Sequence, residues 1–224
     1  MKKILSILAV IIAVASCDFP GVNVYSITNV NDYLNYASGK LTSDYGREFT
    51  VVEDQTDKNW MGEGNRMHAV FDILNADYDI TLKSYMLANV KPVAGTMETE
   101  TLDSSDPVDI QDCCISGRCL NLILSYYVKK DSDYKHGIDL YYNDKNGYLT
   151  LILIHDGNGE SPVNHAEEDL EKVTSLFCFP ITSLVPEGEY RYILFEYDYL
   201  TKSGDGKYSV AHASSALYNQ QLQF

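Results

Sequence analysis

Leu120–Val128 reads LNLILSYYV, and its alternation decides the fold class. Leu120, Leu122, Leu124, Tyr126 and Val128 share one face of an extended chain, and Asn121, Ser125 and Tyr127 share the other. A period of two is the pattern of a strand with one face turned into a core. Working outward from it, Ile138–Tyr142 and Tyr148–Ile154 form a hairpin pair. They are joined by Asp144-Lys145-Asn146-Gly147, whose Asn-Gly supplies the positive φ angles of a tight connection. Thr174–Phe179 and Tyr190–Tyr199 complete a set of five strands, a number and spacing that point to a β-sandwich. Ala166–Val173 reads as a short helix, and the Gln-rich end from Ser214 is open between a strand, a helix and neither.

Before this set lie Phe49–Val52, Met67–Leu74 and Ile80–Val90, again strand-like. Met67, Ala69, Phe71 and Ile73 alternate with Arg66, His68, Val70 and Asp72 behind the turn signal Gly62-Glu63-Gly64-Asn65. Asp103–Asp109, with Ser104-Ser105-Asp106-Pro107, reads as a linker between two β domains.

The N-terminus carries a different message. Lys2 and Lys3 precede the apolar run Ile4–Val14, and Val14-Ala15-Ser16-Cys17 closes it. That run falls short of the ~20 residues a membrane-crossing helix needs, so it reads as a processed export signal. By resemblance to bacterial lipoproteins, residues 1–16 are removed and Cys17 is lipidated. Several acyl chains hold a membrane durably where one does not. Asp18 to about Lys40, rich in Asn, Ser, Gly and Asp without a sustained period, reads as a tether.

The net charge of -15 disfavours nucleic acid and anionic lipid as partners. Export places Cys113, Cys114, Cys119 and Cys178 where disulfides persist. Cys178 joined to Cys119 or to Cys114 is the favoured pairing, with free buried thiols and a zinc site as alternatives.

Two histidines, His136 and His155, end strand runs and are candidates to meet across the hairpin, with Asp156 beside them. His155-Asp156-Gly157-Asn158-Gly159-Glu160 has oxygen donors around two glycines but not the fixed ligand spacing of a calcium loop. The acidic run after His165 reads as a solvated face. No nucleophile elbow, phosphate-binding glycine loop or HExxH pair occurs, so the reading is non-catalytic, without cofactor or metal. Trp60 and the exposed tyrosines among the 18 are candidates for stacking on a glycan.

The order of the motifs resembles the NigD-like lipoproteins of Bacteroidetes. GNRMHAVFDI (64–73), DPVDIQD (106–112), SGRCLNLILSYY (116–127), KHGIDLYY (135–142) and LILIHDGNGE (151–160) carry the resemblance. It implies an all-β chain with an N-terminal OB-type barrel followed by a C-terminal β-sandwich. The expected layout is signal 1–16, tether 17–42, OB-like domain 43–105, sandwich 106–202 and tail 203–224. It implies aromatic residues near Cys114 and Cys119, where this chain has cysteine. It also implies a cell-envelope lipoprotein, on the outer rather than the inner membrane, with a protein partner of bacteriocin type. A glycan-binding accessory and a metal-dependent envelope enzyme are the alternatives.

Overall fold

The computed structural model describes residues 26–97, 105–145, 148–185 and 192–217. The signal segment, Cys17 and the Asn146-Gly147 turn lie outside them. Strands β1 (Ile27–Ala37), β2 (Lys40–Ser43), β3 (Glu48–Asp54), β4 (Arg66–Ile73) and β5 (Asp79–Val90) form the first unit. Antiparallel pairs β1–β2, β2–β3, β1–β4 and β4–β5 leave β3 and β5 to close the ring in parallel, through Val51 opposite Ile80. The cyclic order β1-β2-β3-β5-β4 is that of an OB-type barrel. Met67, Ala69, Phe71 and Ile73 fill it, as their alternation predicts, with Leu34, Leu41, Phe49, Ile80 and Leu82. Each such side chain, fully buried, contributes about 1.5–3 kcal/mol.

The second unit packs two sheets face to face. One holds β7 (Asp109–Ser116), β8 (Cys119–Lys129) and β11 (Leu170–Pro180). The other holds β6 (Gly95–Thr96), β9 (Gly137–Lys145), β10 (Tyr148–Asp156), β12 (Tyr192–Lys202) and β13 (Tyr208–Leu217). Leu120, Leu122 and Leu124, with Phe179 beside them on β11, face Leu140, Leu151, Ile193 and Phe195 across a separate core. The end of β5 leaves the barrel and adds to β11 in parallel, Ala88 opposite Leu176, so one continuous sheet joins the two units.

Four expectations are corrected. The tether overlaps β1 and β2: Ile27–Ala37 is polar in sequence but pairs with β2 and β4, burying Tyr33 and Leu34. The boundary expected at 105/106 moves to about residue 90, because β6 already pairs with β9 of the sandwich. The tail contains β13, paired with β12 from Ile193–Leu217 to Lys202–Tyr208. Likewise, the short helix at 166–173 shrinks to a 3-10 turn over Glu167–Asp169, after which Leu170 enters β11.

Candidate functional site

The β9–β10 register sets Ile138 opposite His155 and Gly137 opposite Asp156, which brings His136 onto His155. Their rings stack at 5.2 Å, and His136 Nδ1 lies 2.9 Å from His155 Nε2. His136 Nε2 is 3.0 Å from Glu160 Oε2, and both side chains are about 95% shielded from solvent. The Glu160 carboxylate also accepts from the Lys129 N–H and the Ser132 hydroxyl, each at 2.6 Å. Burial works against its charge, yet these donors and His136 hold its pKa down to about 2.

The ionised carboxylate sets the tautomers. His136 donates from Nε2 to Glu160; its neutral Nδ1 then accepts from the His155 Nε2–H, and His155 Nδ1 is left bare. That nitrogen is buried without a hydrogen-bond partner. Burial first, and the adjoining His136 second, push the His155 pKa down to about 4.

The remaining residues of HDGNGE build the frame. Asp106 Oδ2 accepts from the Gly157 and Gly159 N–H groups, both at 2.9 Å, and Asp156 accepts from the Tyr134 hydroxyl at 2.6 Å. A Cβ on Gly157 would stand 2.8 Å from His155 Cε1, so only glycine lets the loop close over the pair. Both nitrogens of His136 are occupied by different partners, and His155 is 1% exposed. No group of three His, Cys, Asp or Glu converges to hold a metal among the described residues. Glu160 and Asp106 are the residues that sequence reasoning missed as functional parts of this cluster. The nearby glycines were the available signal, because they mark backbone folded tightly around something.

A second buried polar cluster joins the two units. Arg66 on β4 makes a bidentate pair with Asp44, at 2.6 Å on both arms. It also donates to Asn35 in the barrel and to Asn121 on β8 of the sandwich, at 3.1 Å each. Ser116 closes the network by donating to Asp44 and accepting from Asn121. Burial works against the Asp44 charge, but Arg66 and Ser116 outweigh it and hold the carboxyl below its ordinary value.

Residues 89–190 match the model of the NigD-like C-terminal beta sandwich domain. This chain carries a NigD-like sandwich. None of the curated proteins compared matches the chain. Several solved structures share its fold, among them the following three. A NigD-like immunity protein from Bacteroides caccae is 18% identical with a TM-score of 0.55, over 85% of this chain and 98% of its own. A putative toxin related protein from Parabacteroides distasonis is 16% identical, TM-score 0.56, over 83% and 92%. A putative lipoprotein from Bacteroides fragilis is 11% identical, TM-score 0.58, over 88% and 100%.

The NigD-like sandwich brings His136 and His155 together but seals them from solvent, and it decides two further candidates. Trp60 is not an exposed platform: at 2% exposure it plugs the barrel, donating to Asp54 at 2.9 Å with its ring edge-on to Tyr36. An indole with no solvent face cannot stack on a glycan. Cys119 and Cys178 lie one diagonal apart on β8 and β11, since Cys119 pairs with Pro180 and Asn121 with Cys178. Both cysteines are free thiols in the structure, and hydrogen bonding with the Cys178 side chain holds the Cys119 thiol below its ordinary range. Cys114 sits on the far side of Asn121, two strand spacings from Cys178, and is the poorer partner.

Proposed function

We propose that the protein is a lipid-anchored, non-catalytic protein of the cell envelope. It binds a protein partner of bacteriocin type and protects the cell that carries it. The NigD-like domain over 89–190 carries this reading. It is supported by the fold relatives themselves, a NigD-like immunity protein, a putative toxin related protein and a putative lipoprotein. The lipobox ending at Cys17 supports the anchor, and the outer membrane is the site proposed for it. The sealed histidine pair supports a structural rather than a catalytic use of those side chains, since an acid or base must reach the proton it moves.

The test is killing of a native-host deletion strain by secreted products of sister strains. The expected result is increased killing, reversed by the wild-type gene but not by Cys17→Ala. Unchanged sensitivity across a broad toxin panel would overturn the immunity role.

A further inference from the structure

At the start of β7 the chain crosses between the two sheets of the sandwich, where the Val108 N–H donates to the Asp198 carbonyl at 2.9 Å. Around this crossing lies a cleft of about 290 Å³, at the lower end of the size range of small-molecule sites. Tyr127 from β8, Tyr197 and Tyr199 from β12 and Tyr208 from β13 line it, with Asp109 and Lys172 beside them. Every aromatic residue in its lining is a tyrosine.

We propose that this cleft binds a neutral carbohydrate of one or two rings. The four tyrosines are half-buried, Tyr197 with one face stacked on Phe195 and Tyr127 and Tyr208 each with a lysine ammonium over the ring, and each keeps part of its surface open to solvent. Tyr197 and Tyr199 stand 6.2 Å apart and tilted by 54°, so neither ring covers the other's face. Phenol rings suit the C–H faces of a pyranose, and they cost little conformational entropy to hold in place.

Charge selects the ligand class. Lys172 is matched by Asp109 at 2.7 Å, and Lys202, which donates to the Tyr208 hydroxyl at 2.9 Å, is matched by Glu167 at 3.0 Å. Each cation is neutralised on the spot, so an acidic sugar finds no unpaired partner, in a chain of net charge -15. The Asp109 carboxylate and the Lys172 ammonium remain able to share hydrogen bonds with the hydroxyls of a neutral sugar. Pro107, Val108, Ile110 and Leu200 supply an apolar floor beside the phenols, and the mixture of apolar and hydroxyl-bearing surface matches the two kinds of face a neutral sugar presents.

The proposal is independent of the immunity reading, which is scored on a deletion strain rather than on purified protein. The experiment is calorimetric titration of the full-length lipoprotein in a non-glycosidic detergent. The probes are methyl glycosides and disaccharides of glucose, galactose, mannose and N-acetylglucosamine, with a tyrosine-containing tripeptide as the competing class.

At least one neutral sugar is expected to bind, with Tyr199→Ala weakening it by about tenfold or more. Lys172→Met, which spares the rings, is expected to weaken the same sugar with unfolding temperature unchanged. Tyr148→Ala, at an exposed tyrosine at the start of β10 and outside the cleft lining, is expected to bind as wild type. Three results would overturn the proposal: no sugar binding, binding of the tripeptide alone, or sugar binding untouched by both Tyr199→Ala and Lys172→Met.

Discussion

The Arg66 junction and the His136–His155 pair are both buried polar clusters, and they differ in completeness. At the junction a formal cation meets a formal anion, and Asn35, Asn121 and Ser116 take up further donors and acceptors. At the histidine pair one anion, Glu160, orders a line of hydrogen bonds that ends on an unpartnered nitrogen. A complete network fixes how two units dock. An incomplete one responds to pH, because a proton added to it changes which nitrogens donate.

The largest effect is expected at the junction. Arg66→Ala leaves Asp44 charged and buried, and should cost about 3–5 kcal/mol in denaturant unfolding. The double change Arg66→Met with Asp44→Leu should cost clearly less, because no charge is then stranded. Equal losses in the single and double variants would show that the network holds by shape rather than by charge.

A smaller loss is expected at the pair. Gly157→Ala drives a methyl into His155 and should destabilise by about 1–3 kcal/mol. Gly204→Ala, with open space around it, is the neutral control. A benign Gly157→Ala would mean that the loop moves freely over the histidines.

The pH profile sharpens the contrast further. The folded-state pKa of His155, about 4, lies below its ordinary value of 6.5, so the unfolded chain binds the extra proton first. Stability is therefore full above about pH 6.5 and falls as pH drops toward 4, by at most about 1.4 kcal/mol per unit. Glu160 adds a second loss between 4.5 and about 2, where the unfolded chain takes up the proton while the folded carboxylate stays ionised. Denaturant midpoints across this range should show a clearly shallower upper slope in His155→Leu than in wild type, the remainder coming from His68, whose pKa burial also lowers. An upper slope unchanged by the substitution assigns the titration elsewhere.

The mildest probe reads the junction's field. Hydrogen bonding with Cys178 lowers the Cys119 pKa, and Arg66 adds to it, whereas burial raises Cys113 to about 12. Cys119 should therefore alkylate with iodoacetamide before Cys113, and more slowly in the Arg66→Met, Asp44→Leu variant. Mass spectrometry of the modified peptides reads the order.

Met67–Ile73 and Leu120–Leu124 were legible as strands because their alternation is carried by side chains that must leave water, and a slip of one residue would expose them all. Ile27–Ala37 was not legible. Its Asn and Asp residues mimic a loop, and its extended form is imposed by β2 and β4 on either side. The meeting of His136 and His155 could be anticipated from a hairpin. Glu160 could not, because a loop has no period and its carboxylate is placed by Lys129 and Ser132. Trp60 was misread because sequence gives the chemistry of an indole but not the direction in which it points.

By itself, then, the sequence determined an all-β chain, an apolar run ending in Val14-Ala-Ser-Cys17 and the alternating faces of its central strands, all local properties of neighbouring residues. Only the tertiary structure decided that β3 closes on β5, that Arg66 bridges barrel and sandwich, and that tyrosines from β8, β12 and β13 line one cleft. The physical reason is sequence distance: each of these joins residues many positions apart, and their contact depends on how whole sheets pack rather than on any local preference.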